Sequence, residues 1–173
     1  MRGLRISILE PVTIDPAEIE RRMRPGAWDT AGFLTPDASL EEVLAGDRQT
    51  LAARGLKAAV LGAKLCRLLE EASAAHSDWG RPARLGRHDV EIVRQRGLIT
   101  CPWAPEEFEA CPVGRGSRPT ANRFSVVDSE FRRRLEGFEL SAHFIRDHDF
   151  FGGPATRFRM EPLNVAEVLR ESG

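Results

Sequence analysis

Cys101, Cys111, His143 and His148 are spaced as C-x9-C and H-x4-H, with 31 residues between the two pairs. Two soft sulfurs and two borderline nitrogens complete a tetrahedral shell for Zn2+, and a shell filled by four protein atoms leaves no position for a reactive water. The chemistry this set points to is one structural zinc ion, and no catalytic residue follows from it. Two other readings of the same residues stay open. One is a Cys101–Cys111 disulfide in an oxidising compartment; the other is two core thiols and two surface histidines that never meet. Cys66 lies among Leu61, Leu65 and Leu69, where a thiol behaves as a small hydrophobe. His76 and His88 fall on polar boundary segments, with His88 a reserve ligand should one of the four fail.

These spacings constrain the elements that carry them. An ideal helix turns by ~100° per residue, so residues five apart stand ~140° apart and cannot both face one ion. An H-x4-H pair therefore needs a loosened last turn, and Asp149-Phe150-Phe151-Gly152-Gly153-Pro154 stops a helix after His148. Ser141 is the expected N-cap of a short helix over 141–149, with Leu140 and Ile145 as a hydrophobic staple. A carboxylate from Asp147 or Asp149 is expected to accept the second ring N–H of His148 and fix its tautomer. Cys101-Pro102-Trp103 and Cys111-Pro112-Val113-Gly114 each read as a cysteine followed by a turn. Residues 122–127 and 131–135 alternate as a hairpin turning at Asp128-Ser129.

A thiol-bearing loop, a hairpin and a histidine-bearing helix, in that order over residues 101–148, resemble a two-Cys, two-His zinc finger with long insertions. The wide cysteine spacing departs from the compact frame that a base-reading helix needs, so the resemblance implies a zinc site without implying DNA reading. The chain also resembles bacterial proteins that share this Cys/His pattern, and that likeness implies no activity.

The remaining elements follow from capping and periodicity. Asp15-Pro16-Ala17-Glu18 opens a helix running to about Met23. Ser39 and Glu42 form a capping box for a helix through Leu44, Asp47 to Arg54 is a further helix stopped by Gly55, and apolar residues at helical spacing mark a long helix over 57–75. Residues 90–93 and 98–100 read as strands meeting at Gly97, and Asn164 caps a C-terminal helix. The expected class is α+β: an N-terminal helical subdomain over 1–80, divided at Ser77–Pro82 from an α+β zinc-binding subdomain over 81–173.

At 173 residues and 42% hydrophobic the chain can bury a core, and its apolar stretches stop well short of the ~18 residues a membrane span needs. The N-terminus lacks the pattern of a secretory signal, so a cytoplasmic protein is expected. The net charge of −1 argues against strong attraction to nucleic acid, and acidic residues interleave the arginines. A protein partner is therefore the leading expectation, with Phe150-Phe151 as its contact. A nucleic-acid binder using Arg115, Arg118, Arg123 and Arg132-Arg133-Arg134 beside Phe124 and Trp103 is the alternative. A hydrolase would need one metal position open, with Glu106, Glu107 or Glu109 as base.

Overall fold

A computed structural model describes residues 14–75, 81–114 and 116–170. Helices come first: α1 (Pro16–Met23), α2 (Leu40–Ala52) and α3 (Ala58–Ala75). Strands β1 (Ala83–Leu85), β2 (His88–Val93), β3 (Arg123–Asp128) and β4 (Arg133–Phe138) follow, and helices α4 (Glu139–His148) and α5 (Pro162–Val168) close the described chain. The class is α+β. His76, the expected boundary at Ser77–Pro82 in all but its last two residues, and Arg115 lie outside the described residues.

The strands form one antiparallel sheet in the order β1-β2-β3-β4. Its register places Val90 opposite Val126, Val126 opposite Leu135, and Ile92 opposite Phe124. Because side chains alternate faces along a strand, these five share one side, and all are buried. That side joins Leu61, Leu65 and Leu69 of α3 and Val165 and Val168 of α5 in one core. A second core collects Ile19 and Met23 of α1, Phe33, Leu34, Cys101, Cys111, Phe144, Phe150 and Phe158. The thiols thus sit in the core that α1 helps build.

The Asp15 carboxylate accepts the Ala17 N–H at 2.9 Å, so α1 starts and ends where its cap and proline place it. Other boundaries differ from the sequence expectation for identifiable reasons. Residues 40–52 form one continuous helix, not two, because the Asp47 carboxylate does not cap: it takes the Arg159 guanidinium through bonds of 2.7 and 2.8 Å. Residues 98–100 form no strand, and β2 pairs instead with β1 and β3. The segment is held singly, by the Thr120 N–H on the Ile99 carbonyl and the Phe108 N–H on Thr100 Oγ1. Helix α5 begins at Pro162, and Asn164 donates to the Arg134 carbonyl rather than capping.

Helix α4 begins two residues before the expected Ser141 cap. β4 runs straight into it, and the Glu139 N–H donates to the Asn122 carbonyl at 3.0 Å. Ser141 lies inside the helix, buried, with no hydrogen-bond partner for its hydroxyl among the described residues. Phe150 and Phe151 are 0% and 2% exposed, so the expected exposed anchor is absent. Successive residues of extended chain point to opposite sides, and here Phe150 joins the thiol core while Phe151 joins the sheet core.

Candidate metal centre

The connection between β2 and β3 delivers both thiols, and α4 delivers both imidazoles. Each cysteine is followed by proline, and in each turn the backbone N–H two residues on, from Trp103 or Val113, donates to the sulfur. The first turn closes with the Ala104 N–H on the Cys101 carbonyl at 2.8 Å. Arg22 of α1 then clamps it from outside, donating to the carbonyls of Ala104 at 2.6 Å and of Pro102 and Pro105 at 3.3 Å. Glu18 orients this guanidinium at 2.7 Å, and the Trp28 ring covers it at 4.4 Å.

On α4 the last turn is wide. The N–H groups of Asp149 and Phe150 both reach back to the Phe144 carbonyl, five and six residues upstream, where a regular turn spans four. Asp149 takes the left-handed region at φ 55. This extra residue in the turn is the loosening that the H-x4-H spacing demands, and it brings His148 round to His143. Their Nε2 atoms are 3.2 Å apart, with the rings perpendicular.

His148 Nε2 lies 3.4 Å from Cys101 Sγ and 3.5 Å from Cys111 Sγ, and the four donor atoms all fall within 4.8 Å of one another. Tetrahedral bonds of about 2.05 Å to nitrogen and 2.3 Å to sulfur require edges of about 3.3 Å (N to N) and 3.6 Å (S to N). The donor set therefore fits: Cys101, Cys111, His143 and His148 form a cluster that could hold a metal ion.

The surroundings tune this cluster. Asp147 Oδ2 accepts from Nδ1 of His143 at 2.6 Å, not from His148, because residues four apart share a helix face. Asp149 instead pairs with Arg48 at 3.0 Å. Burial raises the Asp147 carboxyl, but the Arg146 guanidinium at 2.6 Å and the His143 ring outweigh it and hold it below the usual carboxylate range. Gly114, at φ +64, is required where it stands: a Cβ there would lie 2.2 Å from Asp147 Oδ1. Trp103 stacks on His148 with centroids 4.0 Å apart and planes 7° from parallel.

The thiols share their protons unequally. A hydrogen bond from Cys101 and, against burial, further bonds from both imidazoles hold the Cys111 thiol well below its ordinary range. Burial, followed by the bond to Cys111, pushes the Cys101 thiol up. Burial also lowers His148, favouring the neutral ring that a metal requires. A divalent cation would supply the positive charge that ionising both sulfurs calls for.

Other candidates lie elsewhere. His88, on β2, bonds the Val168 carbonyl through Nε2 at 2.7 Å and takes no part in the cluster. Cys101 and Cys111 form no disulfide. Glu106, Glu107 and Glu109 are exposed on the intervening loop. Phe124 is buried, one face of Trp103 is taken by His148, and Arg133 and Arg134 pair with Glu167 and Glu136. The β3–β4 hairpin bears neither thiol, unlike that of a zinc finger, and belongs to the larger sheet.

Sequence reasoning missed the Arg22 clamp and the Trp103 stack, for which no local pattern exists. The His143–Asp147 pair was legible in their i,i+4 spacing. No family model, curated protein or solved structure matches the chain.

Proposed function

We propose that the protein is a non-enzymatic, zinc-stabilised protein that acts through a protein partner. The observation that carries the metal is the four-donor cluster: its atoms all lie within 4.8 Å of one another, and the three separations from His148 Nε2, 3.2 to 3.5 Å, match edges of a tetrahedral shell. Two thiolates and two imidazoles favour zinc among abundant divalent ions, and in a reducing cytoplasm the thiols stay available to it. Four protein donors fill the tetrahedron, which supports a structural ion over a hydrolytic one. With Phe150 and Phe151 buried, the apolar groups left for a partner include Leu98, Phe108 and Val113, on the segments bracketing the cysteines; Phe108 is 56% exposed.

Elemental analysis of protein purified without chelator tests the metal: about one zinc per chain is expected, and less than ~0.2 equivalents of any transition metal in reduced protein overturns it. Binding to DNA or RNA across a salt series tests the partner class, with weak, sequence-independent binding expected. Sub-micromolar, steeply salt-dependent binding would replace the protein partner with nucleic acid.

A further inference from the structure

The four donors are not held alike. His143 is 3% exposed, and its Nδ1 is fixed by Asp147, itself gripped by Arg146. The two sulfurs are each 1% exposed and each receive a backbone N–H, and the Cys101 turn is clamped by Arg22. His148 alone of the four is only half-buried. Among the described residues its Nδ1 has no hydrogen bond, and the Trp103 ring lies against its face. It is also the last residue of α4, where two N–H groups share one carbonyl and the next residue holds a left-handed conformation that is disfavoured for a non-glycine residue. Displacing His148 therefore breaks only the metal bond and the Trp103 stack, whereas displacing His143 strips the Asp147–Arg146 ion pair of its ring partner and moving either sulfur dismantles a turn.

Resting on the zinc reading above, we infer that His148 is the exchangeable ligand: the metal is loaded, released and reached by small neutral nitrogen donors of the imidazole class through the face that His148 and Trp103 cover. The step is a ligand substitution. The metal–Nε2 bond to His148 breaks, the donor's lone pair forms a new bond in its place, and no proton or electron changes hands. The other three donors stay in position, so the centre is closed at rest and opens on one side only.

The test uses the full chain loaded with Co2+, whose visible absorption reports coordination number. His148→Ala is expected to bind Co2+ at least tenfold more weakly than wild type, and added imidazole is expected to restore a four-coordinate spectrum. His143→Ala is expected not to be restored, because a ring entering from the cavity beside Glu139 and Arg146 would have to take up the Asp147 bond and meet the metal at once. In wild type, release to a chromogenic chelator should accelerate with chelator concentration, and Trp103→Leu should speed it about tenfold. Restoration of both histidine variants, of neither, or of His143→Ala alone overturns the inference. Should those variants fail to fold, the release kinetics decide: a rate independent of chelator and unchanged in Trp103→Leu also overturns it. Wild type that takes up neither Co2+ nor Zn2+ refutes the metal reading itself, whereas wild type that loads but exchanges otherwise refutes only the role of His148.

Discussion

Gly62 is where α3 meets the helix that carries both imidazoles, and adding one methyl group there should disturb the metal centre from a distance. A Cβ at Gly62 would lie 2.3 Å from the Arg146 nitrogen, 2.5 Å from its Cα and 2.7 Å from its Cβ. Ordinary contact begins near 3.4 Å, so the helices must part by 3.4 − 2.3 = 1.1 Å at this point. Two effects compete in Gly62→Ala. Alanine favours the helix by about 0.5–1 kcal/mol, while overpacking against backbone that cannot rotate away costs about 1–3 kcal/mol. The clash wins, for a net loss of the order of 1 kcal/mol and a fall in Tm of a few degrees at ~2–4 °C per kcal/mol. The same displacement carries Arg146 and Asp147 away from the thiol loops, so metal affinity should fall too. Thermal unfolding, with and without zinc, and competition against a chelator measure both. Gly46→Ala is the control, since Gly46 lies within α2 with nothing within 4 Å of its Cβ, and it should stabilise by about 0.5–1 kcal/mol. A Gly62→Ala protein as stable as Gly46→Ala, with parental zinc affinity, would refute the packing argument.

Asp147→Ala should weaken zinc binding about 10- to 100-fold by releasing the His143 ring, and chelator competition reads it directly; unchanged affinity would show that the carboxylate does not orient the ligand. Arg22→Met should cost about 2 kcal/mol, since three carbonyls of the Cys101 turn lose a charged donor, and denaturant unfolding measures the loss. In Cys111→Ser, hydrogen exchange should quicken in α1 and around residues 98–112 and 144–150 more than in α3 and the sheet, because α1 belongs to the thiol core; uniform protection would make the metal incidental. Hydrogen bonds from Arg21 and Arg22 hold the Glu18 carboxyl down at about 2, against an ordinary value of 4.5. Its folded pKa is depressed, so its contribution to stability is present above pH 4.5 and is lost as the pH falls towards 2. Glu18→Gln should therefore show a smaller drop in Tm than wild type over that window.

What was legible in the sequence is what depends on neighbours along the chain. Asp15 with Pro16, the Ser39 cap, the apolar stripe of α3 and the hairpin after β3 all act within a few residues, and the structure has them, with the hairpin turning at residues 129–132 rather than at Asp128-Ser129. The cluster itself was legible as a donor set, and the widened turn of α4 as a geometric need. What escaped depends on partners far away. Asp47 reads as a helix start until Arg159 claims it, residues 98–100 read as a strand until β2 is seen to be paired on both sides, and Ser141 reads as a cap until Asn122 fixes the start of α4. Two adjacent phenylalanines suggested one left in water, because the sequence does not reveal that there are two cores for them to enter.

The Arg22 clamp also bears on where the energy of metal binding would go. Small zinc domains commonly fold only with their ion, so most of the binding energy is consumed in ordering the chain. Here a guanidinium from a helix some eighty residues upstream already shapes the first thiol turn, and the Asp147–Arg146 pair already aims His143. These contacts within the chain hold two of the four donors, Cys101 and His143, in place. The more of the site's order such contacts supply, the larger the share of any coordination free energy that would appear as affinity, the remainder stabilising the segments that carry Cys111 and His148.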